Sequence, residues 1–152
     1  MTTPTSAQRV SAVVVDRTDG GITASYTTVE RPRLDPTQVL VAPAYVGICG
    51  SDLEQMKGAM PDTFRINYPH VLGHEWSGEV VEVGSEVTSL KVGDLVIGHG
   101  ELGGNQWFGV TEDGAMADVF AVAQDVSFRL KPGTNLISAN VGGSDNDHQR
   151  SE

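Results

Sequence analysis

Two short stretches of the sequence concentrate side chains that can bind a transition metal. The first is "VGICGSDLE" at residues 46–54, which supplies the thiolate of Cys49. The second is "YPHVLGHEWSGEVVEVG" at residues 68–84, which supplies the imidazole of His74 and the carboxylate of Glu75. Sulfur, nitrogen and oxygen ligands of this kind form the mixed set that zinc accepts in a tetrahedral site. The pattern therefore predicts a zinc site at these three residues.

Two neighbours of Cys49 could support such a site. Asp52 could orient a ligating histidine through its second ring nitrogen, and the hydroxyl of Ser51 could pass a proton. The same two residues could instead begin a short helix, "SDLEQMKG", with Ser51 or Asp52 as the N-cap and Gly58 as the stop. Both roles can coexist on one helix start.

Other residues of similar chemistry lie outside these motifs. Cys49 is the only cysteine, so an internal disulfide is excluded. We interpret His70 and His99 as surface or strand-end histidines. Trp76 and Trp107 could line a substrate pocket, but single aromatic side chains more commonly pack in a core or a loop.

The elements that position these side chains are short strands separated by Gly, Pro and Asp. The predicted strands are "SAVVV", "ITASYTTV", "QVLVAPAYVGI", "WSGEVVEVG", "DLVIGH", "MADVFAVA" and "SFRL". They predict a mainly β fold, a barrel or a sandwich. We expect a flexible N-terminus at residues 1–9, a folded domain at residues 10–133 and a polar C-terminal tail at residues 134–152.

The charge balance excludes two classes of partner. The chain has 20 acidic and 10 basic side chains, a net charge of -10, and so should bind neither nucleic acid nor an anionic membrane. The apolar patch before Asp16 is too short for a signal peptide or a membrane span. These observations predict a cytoplasmic protein.

Three motifs together resemble one known family. "VGICGSD", "GHEWSGEVVEVGSEVTSLKVGDLV" and "GAMADVFAV" are similar to the N-terminal, GroES-like catalytic domain of the medium-chain dehydrogenase/reductase family, the zinc-dependent alcohol and polyol dehydrogenases. The similarity runs from about Val10 to Gly133. It implies a mainly β, GroES-like barrel with short helices and no Rossmann domain.

The resemblance also assigns roles to the candidate residues. It implies that Cys49 and His74 bind the catalytic zinc and that Glu75 lies beside the metal. Ser51 would relay the proton of the substrate hydroxyl, and Asp52 would hold His74. Zinc lowers the pKa of a bound hydroxyl, so a substrate alkoxide could expel hydride to a nicotinamide cofactor.

The chain departs from the family in two respects. Relatives take another zinc ligand and NAD(P) from a region that follows this domain, whereas this chain ends at Glu152. We therefore expect that NAD(P) is bound only by a partner chain, unless the gene is truncated. The remaining zinc ligand should come from Glu75 or from the tail residues Asp145, Asp147 or His148. The interval that carries a four-cysteine lobe in many zinc members contains no cysteine, so we expect one catalytic zinc and no structural zinc.

That interval begins with "GHGELG" at residues 98–103, which fits the dinucleotide fingerprint G-x-G-x-x-G. The fingerprint works only between a strand and a helix, with an acidic residue about 20 positions on. The following residues have no helical periodicity, and Asp118 falls within a predicted strand. We interpret the segment as a Gly-rich loop that remains from a deleted lobe.

Three functions remain open from the sequence. The first is zinc-dependent oxidoreduction of a small alcohol, polyol or carbonyl compound. The second is a stand-alone zinc lyase, isomerase or hydrolase without a nicotinamide cofactor. The third is a non-catalytic remnant or binding protein. If the domain lacks its Rossmann partner, a bare apolar face should favour a separate Rossmann-domain partner or a homo-oligomer.

Overall fold

A computed structural model describes residues 8–98 and 100–136, and these residues are mainly β with a single α-helix. The strands are β1 (Arg9–Thr18), β2 (Gly21–Glu30), β3 (Gln38–Gly47), β4 (His70–Val71), β5 (Glu75–Val83), β6 (Leu95–Gly98), β7 (Glu101–Gly103), β8 (Gln106–Trp107), β9 (Phe120–Ala123) and β10 (Ser127–Arg129). Helix α1 spans Gly50–Lys57, and a 3-10 turn spans Gln124–Val126. Within these residues, no helix combines the length and the apolar character needed to cross a membrane.

The strands form two main antiparallel sheets and a small hairpin. One sheet has the order β2-β1-β4, the other has the order β10-β6-β5-β3-β9, and β7 pairs with β8. Strands β3 and β5 are central in the larger sheet, and β3 bends where its register shifts near Pro43. Proline cannot donate to the ladder, and Gly78 lies opposite it, where a Cβ would collide with the carbonyl of Ala42. The glycine therefore lets the two backbones approach at the bend.

The core lies on the inner face of the five-stranded sheet. Alternating apolar residues of β3, β5 and β9 point to this face, as their two-residue period requires. The ring of Trp76 packs edge-on against Phe120 with centroids 4.8 Å apart, and Phe108 lies 6.3 Å from it. The buried members of the core are Val39, Val41, Trp76, Val80, Leu90, Val96, Phe108, Ala115, Phe120 and Val122.

Several elements differ from their predicted extents. The predicted strand "MADVFAVA" pairs continuously only from Phe120, and before it Ala117 makes an isolated bridge to Ala12. Strands β4, β7 and β8 were not predicted because each has two or three residues. Pairs this short carry almost no periodic pattern, so tertiary packing rather than local sequence determines them.

Candidate metal centre

Helix α1 begins beside the candidate ligands. The helix starts at Gly50 with Cys49 as the N-cap, so the expectation of an N-cap at Ser51 or Asp52 is wrong. Asp52 instead occupies the third helical position, where its Oδ2 accepts the backbone N–H of Cys49 at 2.8 Å. A carboxylate in the first turn also interacts favourably with the helix dipole. The helix ends as predicted at Gly58, which adopts the left-handed conformation.

The turn that presents His74 depends on close backbone packing. Gly73 has φ 97°, and a Cβ there would lie 2.8 Å from the side chain of Met116. Cβ atoms at Gly109 or Gly114 would collide with the carbonyl oxygen of Gly73. That carbonyl also accepts the N–H of Ala115 at 2.8 Å. The backbone leading into His74 is thus enclosed on several sides, and only glycine fits.

Strand pairing then brings the three candidate ligands together. The last residue of β3, Gly47, pairs with Glu75, the first residue of β5. Cys49 follows two residues after this pair, and His74 comes directly before it. The ligand atoms of Cys49, His74 and Glu75 all lie within 4.8 Å of one another.

The charges around His74 favour its protonated form in the absence of metal. Asp52 is 1% exposed, and its Oδ1 lies 3.5 Å from the Nδ1 of His74. This carboxylate raises the pKa of His74 to about 9, against the opposing effect of burial, with a smaller contribution from Cys49. The backbone N–H of Ser51 lowers the pKa of the Cys49 thiol. Both shifts stabilise charged forms, a thiolate beside an imidazolium.

The arrangement of His74 fits a ligating imidazole. Its Nε2 lies 3.4 Å from the hydroxyl oxygen of Ser51, on the side of the ring away from Asp52. The buried Nδ1 of His74 and Oδ1 of Asp52 form no regular hydrogen bond within the described residues. An Nδ1–H directed at Asp52 would leave the Nε2 lone pair available to a metal, which is the usual arrangement around zinc.

The remaining predicted residues fall into three groups. Trp76 is buried in the core, and the ring of Trp107 packs edge-on against Phe64 at 6.1 Å. His70 begins strand β4, as the strand-end alternative predicts, but it is not at the surface: it is 3% exposed, and its Nε2 bonds the Oε1 of Gln55 at 2.8 Å. His99 and the tail residues Asp145, Asp147 and His148 lie outside the described residues.

Gln55 was not singled out by the sequence analysis, although it is fully buried. The available signal was its position on the short helix, three residues after Asp52 and therefore on the same helix face.

The last three residues of the "GHGELG" segment form a strand of a hairpin rather than part of the predicted loop. Gly98 ends β6, and a Cβ there would collide with the ring of Trp76. Residues Glu101–Gly103 form β7, which pairs directly with β8. Asp118 accepts the backbone N–H of Ser11 at 2.7 Å. The first glycine is thus explained by core packing and the acidic residue by a contact with strand β1.

Comparison with known proteins places this geometry in a family. The alcohol dehydrogenase GroES-like domain family matches residues 35–132. The chain belongs to this family. This membership confirms the resemblance to medium-chain dehydrogenases that the sequence motifs indicate.

Individual relatives of this GroES-like domain are alcohol and polyol dehydrogenases. The chain is 50% identical over 80 residues to cinnamyl alcohol dehydrogenase 1 of Capsicum annuum, covering 53% of this chain and 21% of that protein. It is 48% identical over 73 residues to D-xylulose reductase of Scheffersomyces stipitis, covering 47% of this chain and 20% of that protein. The chain therefore spans about a fifth of the length of these curated relatives.

A solved structure shares the fold of this GroES-like domain over most of its length. It is described as a zinc-binding dehydrogenase from Sinorhizobium meliloti 1021, bound to NADP. The TM-score is 0.70 at 26% identity, and the match covers 85% of this chain and 40% of that one. The predicted GroES-like fold class is confirmed by this likeness.

Proposed function

We propose that the domain is the metal-binding, substrate-side part of a zinc-dependent alcohol or polyol dehydrogenase. The observation that carries the proposal is the convergence of the Cys49 thiolate, the His74 imidazole and the Glu75 carboxylate within 4.8 Å. Membership of the alcohol dehydrogenase GroES-like family supports the reaction class. The substrate class follows from relatives that are named for cinnamyl alcohol and xylulose.

The proposed zinc ion would be held by Cys49, His74 and Glu75. When bound, it would lower the pKa of an alcohol hydroxyl and so favour hydride loss from the adjacent carbon to NAD(P). One catalytic zinc is proposed, and the hairpin of β7 and β8 occupies the interval where many relatives carry a second, structural site.

The protein's own residues would handle the proton and the orientation of the ligand. Ser51 is half-buried, and its hydroxyl lies beside the Nε2 edge of His74, so its oxygen can accept the substrate hydroxyl proton and pass it to solvent. Asp52 would accept an Nδ1–H from His74, which fixes the ring orientation and makes Nε2 more basic. Ser51 and Asp52 thus have separate tasks on the two edges of one imidazole.

We further propose that NAD(P) is bound by a Rossmann domain outside residues 10–133. Helix α1 offers a surface for such a neighbour, since Leu53 and Met56 lie on one helix face and are 47% and 40% exposed. Ile48, just before the helix, is 74% exposed. Whether that domain belongs to a partner chain or to a longer form of this chain does not alter the chemistry proposed at the metal centre. The cytoplasmic location stays a prediction.

A metal titration tests the proposal. Cobalt(II) reports the geometry of zinc sites, because tetrahedral cobalt gives strong visible bands and a bound thiolate adds a near-ultraviolet charge-transfer band. We expect one equivalent to produce both signals and one equivalent of zinc to abolish them. Cys49→Ser should remove the thiolate band, and His74→Ala should weaken binding by several orders of magnitude.

A control variant, a contradicting outcome and an activity assay complete the test. Glu79→Gln changes an exposed carboxylate of β5 outside the candidate ligand set and should retain both bands. Stoichiometric cobalt bound without a thiolate band would place the metal elsewhere and refute the proposed site. For the reaction, the zinc-loaded chain would be mixed with a Rossmann-domain chain from a related dehydrogenase, NAD(P)+ and an alcohol or polyol; metal binding without any turnover would favour a non-catalytic binding protein.

A further inference from the structure

Helix α1 is attached to the barrel in an unusual way. Its buried residues are Asp52 and Gln55, both polar, whereas its apolar residues Leu53 and Met56 are exposed. Surface helices ordinarily dock through an apolar stripe. The position of this helix, and of Cys49 at its N-cap, must therefore depend largely on what the two buried polar side chains contact.

Gln55 uses both ends of its amide for such contacts. Its Nε2 donates to the carbonyl oxygen of Gly109 at 3.2 Å, and its Oε1 lies 2.8 Å from the Nε2 of His70. A backbone carbonyl can only accept, so the amide orientation is fixed with nitrogen toward Gly109. The Oε1 atom is then an acceptor, and the Nε2 of His70 must carry a hydrogen.

Both partners of Gln55 adjoin the turn that carries His74. His70 belongs to β4, four residues before His74. Gly109, at φ 69°, packs so closely on this segment that a Cβ would lie 3.0 Å from the backbone nitrogen of His74. One buried amide thus links the helix that follows Cys49 to both supports of the His74 turn.

From these contacts we infer that Gln55 is a positioning residue that sets the separation between Cys49 and His74. The inference rests on the proposed metal centre, because the separation of these two ligands matters only if both bind one ion. Without the amide, a buried imidazole N–H and a buried carbonyl would each lose a partner, and the helix could shift to reach water. Ligand atoms displaced by a fraction of an ångström bind a metal less well.

The decisive variant is Gln55→Met, which keeps the length of the side chain but cannot hydrogen-bond. The matched control is Met56→Gln, the reverse change at the next, exposed position of the same helix. We expect Gln55→Met to weaken cobalt and zinc binding by about tenfold to a hundredfold, the range found when outer partners of ligands are removed. Its cobalt bands should shift in position and intensity, whereas Met56→Gln should match the unaltered chain in both respects.

Further variants separate positioning from general destabilisation. Gln55→Glu retains an acceptor for His70 and should recover part of the affinity, although it loses the donor to Gly109. If Gln55 acts partly through His70, the losses in Gln55→Met and His70→Met should be less than additive in the double variant. The unfolding free energy of each metal-free variant is measured alongside, and if Gln55→Met does not fold, the Gln55→Glu spectrum decides.

The outcomes distinguish this inference from the function on which it rests. Failure of the unaltered chain to bind cobalt through a thiolate would refute the metal centre itself. Normal cobalt binding together with unchanged affinity and spectrum in both Gln55 variants would refute the positioning role alone. Affinity that falls only in proportion to stability, with the bands unchanged, would also overturn it.

Discussion

Strand β5 joins two regions that are built from opposite kinds of contact. Toward its middle, Trp76 and Val80 pack against apolar side chains of the neighbouring strands. At its start, the backbone before His74 is confined by glycines, and the facing helix is attached through Asp52 and Gln55. Apolar burial is non-directional and tolerates small shifts, whereas hydrogen bonds and close backbone contacts require particular positions.

The core and the metal centre should therefore determine different properties, the core the stability of the fold and the metal centre the geometry of the ligands. The core should supply most of the folding free energy, because burial of large apolar side chains is the dominant favourable contribution. The metal centre should add less stability than the core without its ion, mainly through the Asp52–His74 pair, but should determine where the ligand atoms lie. Substitutions in the core should therefore lower the unfolding free energy, whereas substitutions at the metal centre should weaken metal binding.

The largest expected loss of stability comes from Trp76→Ala. The ring is fully buried between Phe108 and Phe120, so its removal leaves a cavity, and we expect a loss of about 3 to 5 kcal/mol in unfolding free energy. Urea unfolding of the metal-free chain measures it. Trp107→Ala is the control, since that ring is only partly buried beside Phe64, and should cost clearly less. Equal losses in the two variants would contradict the assignment of Trp76 to the central core.

Gly109→Ala should affect both properties. Gly109 has φ 69°, and its Cβ would collide with the carbonyl of Gly73, so we expect a loss of about 2 kcal/mol or more together with weaker metal binding. Gly103→Ala is the matched control, because Gly103 has φ 84° but nothing near its Cβ. That change should cost about 1 kcal/mol and leave metal affinity unaltered. Similar metal affinities in both variants would show that the glycine contacts do not position His74.

The same contrast explains how much of the fold the sequence could predict. Strands β2, β3 and β5 are long enough to show alternation, and the predicted ends of each lie within one residue of the observed ends. The predicted first strand, residues 11–15, covers only the apolar middle of β1 and stops three residues short of its end. The predicted strand at residues 116–123 began too early because apolar letters before Phe120 pack as an irregular segment. Strands β4, β7 and β8, of two or three residues, carry no period and could not be found, although the equally short β10 was predicted as "SFRL".

For the candidate metal centre, the sequence predicted which residues take part better than it predicted where they lie in the helix and strands. Cys49, His74 and Glu75 were recognisable from their chemistry and motifs, and their convergence follows from the pairing of Gly47 with Glu75. The N-cap was placed too late because Asp52 is a good capping residue at either position. The burial of His70 and Gln55 could not be predicted, since it depends on their contact with each other across 15 residues of chain and on the bond from Gln55 to Gly109.

The pH dependence of metal binding tests the charge balance at the metal centre. The Asp52 carboxylate raises the pKa of His74 to about 9, and a metal must displace that proton. Affinity should therefore rise about tenfold per pH unit up to about pH 9, because binding releases the proton of His74. Isothermal titration in several buffers gives the number of protons released.

The stability of the metal-free chain should change in the opposite direction and fall as the pH rises. A histidine whose pKa is raised on folding contributes stability that is complete below its unfolded value of about 6.5 and is lost as the pH rises toward 9. In Asp52→Asn this loss should be smaller and should occur at lower pH. Metal affinity that stays constant from about pH 7 to about pH 9 would mean that His74 is already neutral in the metal-free chain.

The smallest expected effect on stability concerns Asp94, which directly precedes strand β6 of the five-stranded sheet. Its carboxylate accepts the Nζ of Lys91 at 2.7 Å and the backbone N–H of the same residue at 3.0 Å, and Arg129 lies 3.2 Å away. The bond from Lys91 is the main reason that the pKa of Asp94 is below its usual value. A lowered carboxyl pKa contributes stability above the unfolded pKa of about 4, and this contribution is lost as the pH falls through the folded value.

Asp94→Asn keeps an acceptor for the backbone N–H but removes the charge. Because the Lys91 side chain is 75% exposed, we expect a loss below about 1 kcal/mol at neutral pH in low salt. The difference from the unaltered chain should close on acidification to about pH 2 and shrink in high salt. Urea unfolding at both pH values measures it, with Lys91→Met as the control from the other side of the pair. A difference that persists at low pH would mean that Asp94 stabilises this part of the sheet through the geometry of its hydrogen bonds rather than through its charge. Directional contacts would then support this part of the sheet, as they do the metal centre.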